Sequence, residues 1–335
     1  MDQPRIRRAL PGLLLPLFAA CCAAPAAAQA WLPPQGELSL SFGYGNNFVN
    51  RHYLGTPANP GDNVENDFGH IRTQNFGMAL QYGITDRLAA SVALPFVYSK
   101  YYGTPGQNFF PHTIPNDDGN YHGTFQDYRI NLQYQAVRGP VALTPFVSVI
   151  IPSHSYTYFA HTAVGRDLYE GQLGASFGAL LDRVVPGSYV ELTYSYAFVE
   201  KVLGIHHDRS NGILELGYFL TPSLSVRAIG SGYYTHGGLV FDTPLAAGPP
   251  VESNPLFFHH DQIGHDSGIF GGGGLSYQLT GSMEVSASYL TQVLGHGGHK
   301  IKDSWGFGIT YSFSPTQVVR RYFPSKSAKT PGGTP

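Results

Sequence analysis

Histidine and aspartate residues give this sequence its clearest potential for metal chemistry. The chain has 14 histidines, and several of them stand beside or close to an aspartate. Imidazole and carboxylate groups are the ligands that zinc, copper and nickel take in proteins. The hypothesis of a Zn, Cu or Ni site rests on His206, His207, Asp208, His259, His260, Asp261, His265, His296 and His299. Polar loop histidines without a specific metal, or imidazoles that gain charge between about pH 7 and 5, explain the same pattern.

Charged residues at alternate positions of apolar runs form a second candidate set. Side chains at alternate positions of a strand point to one face, so in a closed sheet these charges would line the interior. They are Asp127, Arg129, Glu170, Glu191, Glu215, Arg227 and Glu284. Glu215 and Arg227 flank the tight turn Thr221-Pro222 and are expected to pair. The set either fills the interior with neutralised charges or lines a narrow pore whose excess of glutamates disfavours anions.

Catalytic and nucleic-acid-binding roles find little support in the sequence. No Ser or Asp lies in a distinctive nucleophile motif, and proximity of His to Asp in the chain does not create a catalytic dyad. The glycines from Gly271 to Gly274 lack the Lys-Ser/Thr continuation of a phosphate-binding loop. The chain has 20 Lys and Arg against 22 Asp and Glu, without a basic patch. We therefore expect neither an enzyme nor a nucleic-acid partner, and no cofactor other than the metal considered above.

Alternating runs of roughly ten residues are the elements that would position both sets. One run alternates apolar Tyr128, Ile130 and Leu132 with polar Arg129 and Asn131. Such runs have one apolar and one polar face, which is typical of β-strands. The predicted strands are near residues 36–48, 68–82, 87–101, 121–137, 140–152, 168–181, 188–201, 210–220, 223–236, 266–279, 282–294 and 302–313.

The connections between these runs alternate between short turns and long loops, which predicts an all-β, antiparallel, up-and-down transmembrane barrel of about 12 strands, with 10 to 14 possible. Long loops are expected near 49–67, 102–120, 153–167, 202–209, 237–265 and 295–301. With the termini in the periplasm, these loops face outward and carry nearly all the histidines. Charged residues are 13% of the chain, against about 25% in ordinary soluble domains, which suits a surface in contact with lipid.

Both ends of the sequence have features of an exported Gram-negative outer-membrane protein. Three arginines precede an apolar stretch, and Ala28-Gln29-Ala30 has the small-residue pattern of a cleavage site, so residues 1–30 are predicted to be a signal peptide. A lipoprotein signal ending at Cys21 is the alternative. Residues 31–314 form the predicted barrel. Residues 315–335, rich in proline, are predicted to be a disordered periplasmic tail.

One family resemblance is carried by the turn and strand Tyr82-Gly83-Ile84-Thr85-Asp86-Arg87-Leu88, continued by Leu94-Pro95-Phe96-Val97-Tyr98. These residues resemble the outer-membrane proteins grouped with the meta-pathway of phenol degradation. Gln126 stands where that family has a glycine before the aspartate. The resemblance implies a channel or transporter for small, aromatic or hydrophobic solutes.

The expected partners are outer-membrane lipid, a small-molecule solute and, during biogenesis, the outer-membrane assembly machinery. The pattern Gly308-x-x-Tyr311-x-Phe313 looks like the C-terminal signal that this machinery reads. The alternative function is a surface-exposed structural or binding barrel whose His-rich outer loops bind metal ions.

Overall fold

A closed antiparallel β-barrel makes up almost all of the computed structural model, which describes residues 30–54, 64–67, 69–103, 115–240 and 255–315. Pairing of the first strand with the last closes the sheet. The strands are β1 (Leu38–Leu54), β2 (Val64–Asn66), β3 (His70–Thr85), β4 (Leu88–Tyr102), β5 (His122–Phe125), β6 (Asp127–Tyr134), β7 (Val141–Pro152), β8 (Glu170–Leu180), β9 (Ser188–Val199), β10 (His207–Thr221), β11 (Leu224–Gly237), β12 (Ser267–Thr280), β13 (Met283–His296) and β14 (Gly298–Phe313).

The wall of the barrel has twelve strands, which confirms the predicted fold and strand number. The short β2 adds to the outer end of β1, and β5 and β6 share one position beside β4. The predicted strand 121–137 is therefore wrong as a single element. It is interrupted at Gln126, whose backbone N–H donates to the carbonyl of Pro95 at 2.9 Å. Because Pro95 has no N–H, the ladder cannot continue through this point.

Several predicted strands end too early at the outer side of the barrel. β1 continues to Leu54, and β10 begins at His207. The expected long loop 295–301 is a tight turn, since β13 ends at His296 and β14 begins at Gly298. Gly297 and Gly298 have φ values of 65° and 71°, a left-handed conformation that favours glycine. The outer ends of these strands are polar, so the apolar alternation did not predict that the strands extend beyond the apolar band.

The two faces of the wall are inverted relative to a soluble protein. In β6, the exposed fractions of Ile130 and Leu132 are 50% and 44%, whereas those of Asn131 and Gln133 are 3% and 0%. Apolar side chains therefore cover the outside, and polar ones fill the lumen. Only lipid accommodates such an outer surface in a stable monomer, and the barrel is that of an outer-membrane protein. In the described part of the chain, no helix combines the length and apolar character needed to cross a bilayer.

Short turns connect the strands at one end of the barrel, which we call the periplasmic end, and most of the longer connections lie at the outer end. The outer connections include a 3-10 turn (Pro115–Asp117) and two one-turn helices, α1 (Pro255–Phe258) and α2 (His260–Ile263). The predicted signal peptide, apart from Ala30, lies outside the described residues. So do His112 and the predicted tail beyond Pro315.

Candidate functional site

The predicted charged residues lie on the lumen face, and two of them form an ion pair with each other. Arg227 Nη1 lies 3.3 Å from Glu215 Oε2, so the expected ion pair between these neighbouring strands is present. Tyr189 donates its hydroxyl to the same carboxylate, with 2.5 Å between Oη and Oε1. Glu284 lies on β13 in register with Gln278 and Thr310 and is half-buried. This region of the lumen is thus held by a hydrogen-bonded ion pair.

A second polar layer lies nearer the outer end. Arg129 Nη1 donates to Gln172 Oε1 at 3.3 Å, and the Gln172 side-chain amide donates to Glu170 Oε2 at 3.3 Å. The other oxygen of Glu170 accepts from Arg166 Nη2 at 2.5 Å. Asp127, at the start of β6, accepts a short hydrogen bond from the hydroxyl of Tyr156. These contacts tie β6 and β8 to the loop between β7 and β8.

The structure adds an ion pair that the alternation pattern did not predict. Arg209 Nη2 contacts both oxygens of Asp266, at 3.0 and 3.2 Å, and Thr235 donates to the same carboxylate at 2.5 Å. Asp266 directly precedes β12, at the start of the predicted strand 266–279. It belonged to neither of the two candidate sets, and its only other sequence signal was its place next to His265.

The periplasmic end of the lumen is covered by the segment that precedes β1. Ala30 is completely buried, and its carbonyl accepts from Thr144 Oγ1 at 2.6 Å and Gln135 Nε2 at 3.1 Å. Its backbone N–H donates to Glu191 Oε1 at 2.9 Å. The Trp31 indole N–H donates to the carbonyl of Gly139 at 2.9 Å. Cleavage of the predicted signal after Ala30 would leave the contacts of Trp31 in place.

Glycine makes room for this segment. A Cβ at Gly178 on β8 would lie 2.5 Å from the Trp31 indole and 2.8 Å from Ala30 Cβ. Any larger residue at Gly178 would displace the segment from the wall. The glycine is therefore required by a close approach of two chain segments, which the sequence alone did not indicate.

The outer end of the lumen is covered by α1, α2 and the loop 153–169. Phe258 and Phe159 pack with ring centroids 4.8 Å apart, and His259 stacks on Tyr158 at 5.1 Å. Gln262 is buried and donates to the carbonyl of Arg166 at 2.6 Å. The described part of the predicted long loop 237–265 therefore folds onto the mouth of the barrel.

Asp117 anchors the outer cover through loop residues alone. Its carboxylate accepts from His161 Nδ1 at 2.8 Å, from the His161 backbone N–H at 2.9 Å, and from the N–H and hydroxyl of Thr162, both at 3.0 Å. Burial raises the pKa of Asp117, but the hydrogen bonds and the charge of His161 outweigh it, so the pKa lies below its usual range. The ionised carboxylate is therefore the form that holds the loop.

Two strand histidines meet a histidine of this cover, and two of the three, His52 and His161, were outside the predicted metal set. His52 lies 4.7 Å from His299 and 5.6 Å from His161, measured between ring centroids. His161 also stacks on Tyr101 at 4.2 Å. The signal that could have found the pair His52–His299 was strand register, because β1 and β14 place these residues opposite each other.

The structure separates most of the predicted metal ligands. His207 is completely buried, whereas His206 is exposed, and Asp208 accepts from the Tyr196 hydroxyl at 3.2 Å. Consecutive strand residues point to opposite faces, so this triplet does not converge. His265 Nδ1 is 2.6 Å from the carbonyl oxygen of Gly237.

The remaining predicted ligands are held in other contacts. His259 Nδ1 lies 2.6 Å from Gln262 Oε1, and His260 Nε2 lies 3.2 Å from Asp261 Oδ1. His296 ends β13. Among the residues that the structure describes, no group of three His, Cys, Asp or Glu side chains is arranged to hold a metal ion. The Zn, Cu or Ni site stays a prediction from sequence.

A serine and a histidine at the outer rim are the nearest approach to catalytic geometry that we find in the described chain. Ser153 Oγ lies 2.8 Å from His154 Nδ1, and Thr124 Oγ1 lies 3.0 Å from His154 Nε2. Both imidazole nitrogens are thus taken by hydroxyl groups rather than by an orienting carboxylate. This arrangement is not that of a Ser-His-Asp triad.

Small residues line the side of the lumen formed by the first and last strands. Gly43 and Gly45 on β1 pair with Gly308 and Gly306 on β14, at the same phase as buried polar residues. The ion-paired Glu215 and Arg227 project instead from β10 and β11, and Glu284 projects from β13 next to β14. Glycines at this pairing therefore leave the lumen face of β1 and β14 without long side chains at these four positions.

No protein-family match is found for the sequence, and no curated protein matches it. The fold is similar to that of an outer-membrane channel from Pseudomonas putida, with 13% identity, a TM-score of 0.63, and coverage of 85% of this chain and 98% of that one. It also resembles the NanC porin (7% identity, TM-score 0.46, 81% and 98% covered). A third similar structure is the TodX monoaromatic hydrocarbon channel (9% identity, TM-score 0.40, 85% and 92% covered). At 13% identity, the similarity to the Pseudomonas putida channel shows a shared barrel fold.

Proposed function

We propose that this barrel transports small aromatic or hydrophobic solutes across the outer membrane. The observation that carries the proposal is that both ends of the lumen are covered by segments outside the barrel wall. The segment that starts at Trp31 after the predicted cleavage covers the periplasmic end, and α1 and α2 cover the outer end. A barrel that served only as a structural element has no need for separate covers at both ends of its lumen.

The interior of the lumen supports a solute with an aromatic or other apolar body. Tyr233 and Phe270 are stacked on adjacent strands with ring centroids 6.3 Å apart, and the guanidinium of Arg209 lies 5.2 Å from the Tyr233 ring. Rings next to paired charges suit flat molecules that carry few polar groups. The turn and strand at residues 82–88 resemble the outer-membrane proteins grouped with the meta-pathway of phenol degradation. This resemblance points to the same class of solute.

The direct test is transport by the purified protein in a membrane. We expect discrete conductance steps in planar bilayers and entry of phenol-sized aromatic solutes into proteoliposomes. Liposomes prepared with the same barrel after heat denaturation provide the control. Absence of both conductance and uptake from correctly folded protein would remove the transport function while leaving the fold unaffected.

A further inference from the structure

Two cations face each other on the outer surface of the barrel. Arg72 on β3 and Lys100 on β4 are direct cross-strand partners. Their neighbours Ile71 and Tyr101 are buried, with exposed fractions of 3% and 4%, whereas Tyr102 is 42% exposed. Because alternate residues of a strand face opposite sides, Arg72 and Lys100 belong to the surface that faces lipid.

Like charges directly opposite each other destabilise a sheet unless something neutralises them. Within the described residues, neither cation has a carboxylate within 4.0 Å, since no ion pair includes either one. Arg72 Nη1 donates to Asn46 Oδ1 at 3.2 Å, and its guanidinium lies 5.2 Å from the Phe48 ring centroid. The protein thus positions Arg72 with a neutral amide and an aromatic ring.

Aromatic rings position the second cation in the same way. Lys100 Nζ lies 4.5 Å from the ring centroid of Tyr102 and 5.7 Å from that of Tyr121. Tyr121 stacks on Tyr98 at 4.8 Å, and its hydroxyl oxygen accepts from Gln74 Nε2 at 3.4 Å. Two positive charges, a phenol hydroxyl and an amide therefore converge on one outward-facing patch, which we call the cationic patch.

The cationic patch lies at the level of the lipid headgroups. Arg72 is thirteen residues from Thr85 at the periplasmic end of β3 (85 minus 72). At about 3.3 Å per residue and a tilt of about 40°, this separation is roughly 33 Å along the membrane normal, against an apolar band of about 25 Å. The patch therefore lies beyond the hydrocarbon on the outer side, where a charge on the lipid face is tolerated.

We propose that Arg72 and Lys100 bind a phosphate group of a phosphorylated glycolipid in the outer leaflet. A phosphate between the two cations replaces their repulsion by charge-assisted hydrogen bonds, with Arg72 able to contact two oxygens. The exposed faces of Tyr98 and Tyr102 would contact the sugar and the upper acyl chains. This binding requires only that the barrel lies in the outer membrane, and it does not depend on transport through the lumen.

The test measures binding of lipid A that carries both phosphates to the full chain in detergent, by native mass spectrometry. We expect the double variant R72Q/K100Q to bind this lipid about 30-fold more weakly, since two charge-assisted contacts are lost. The matched control is R87Q/R138Q, which removes two cations at the periplasmic turns and should bind like the wild type. Dephosphorylated lipid A should show no difference between the proteins.

A single variant and two checks of folding complete the test. The single variant K100Q removes one charge and should weaken binding about fivefold. Heat-modifiable migration and the far-UV spectrum establish that each variant is folded. Equal affinity of K100Q, R72Q/K100Q and the wild type would overturn the proposal. Inorganic phosphate that stabilises the barrel as strongly as the lipid does would overturn the lipid assignment.

Discussion

Replacement of Gly178 by leucine should release the segment that covers the periplasmic end of the lumen. The Cβ alone would lie 2.5 Å from the indole of Trp31, where ordinary contact begins at 3.4 Å, so the ring must move by about 0.9 Å (3.4 minus 2.5). Leucine adds three further carbons in the same direction. The wall is held by a continuous hydrogen-bonded ladder, whereas Trp31 has a single indole hydrogen bond to Gly139, so Trp31 is the group that moves.

The size of the effect follows from the cost of overpacking, which is about 1–3 kcal/mol. This cost raises the ratio of displaced to seated segments about 5- to 150-fold. Single-channel recording in planar bilayers measures the change as longer open times or a larger mean conductance. The double variant W31A/G178L removes the steric conflict and tests whether the two residues act through each other.

The matched control is G171L on the same strand. A Cβ at Gly171 meets nothing within 4 Å, and this residue is exposed on the outer surface. We expect its conductance to equal that of the wild type. If G178L also conducts like the wild type, the account of Trp31 as part of the cover is wrong.

Three further predictions concern the ion pairs, the outer cover and the histidines. E215Q or R227M alone should destabilise the barrel by about 1–3 kcal/mol, and E215Q/R227M by less than the sum, in urea-induced unfolding; additive losses would show that the two residues are uncoupled. Because the pKa of Asp117 is lowered by its hydrogen bonds, its hold on His161 should be present above about pH 4 and lost as the pH falls through the lowered value. Amide hydrogen exchange of residues 153–169 should become faster as the pH falls below about 4, and in D117N it should be faster than in the wild type at every pH. Equal exchange in D117N and the wild type would contradict the role of Asp117 in holding this loop. Zn, Cu and Ni should give the same titration heats with the wild type and with a fourfold alanine variant, because the structure separates these ligands; a stoichiometric site lost in the variant would support the metal hypothesis instead. The residues changed in that variant are His206, His207, His259 and His260.

The pair Glu215–Arg227 shows what local pattern can predict about the lumen. The two residues lie on adjacent strands joined by a tight turn, so the alternation and the turn position together place them on one face and near each other. A hairpin is a short-range element whose register follows from its turn. The observed contact at 3.3 Å is therefore a consequence of sequence-local geometry.

Proximity in the chain does not by itself bring the predicted metal ligands together in space. His207 and Asp208 are adjacent in sequence, but the period of a strand sends their side chains to opposite faces. His52 and His299, in contrast, are far apart in sequence and come together because β1 and β14 close the barrel. His161 joins them only through the fold of a loop, which no periodicity predicts.

The sequence by itself determined the closed barrel and the direction of most wall residues, because a period-two pattern between turns leaves few alternatives to a closed sheet in lipid. It predicted about twelve strands, and the structure has twelve. Only the tertiary structure decided how the two ends of the lumen are covered. Those covers depend on contacts between segments distant in the chain, such as Trp31 against Gly178 and Gln262 against Arg166. Alternation of side chains specifies which face a residue occupies, but it contains no information about which loop folds over the mouth.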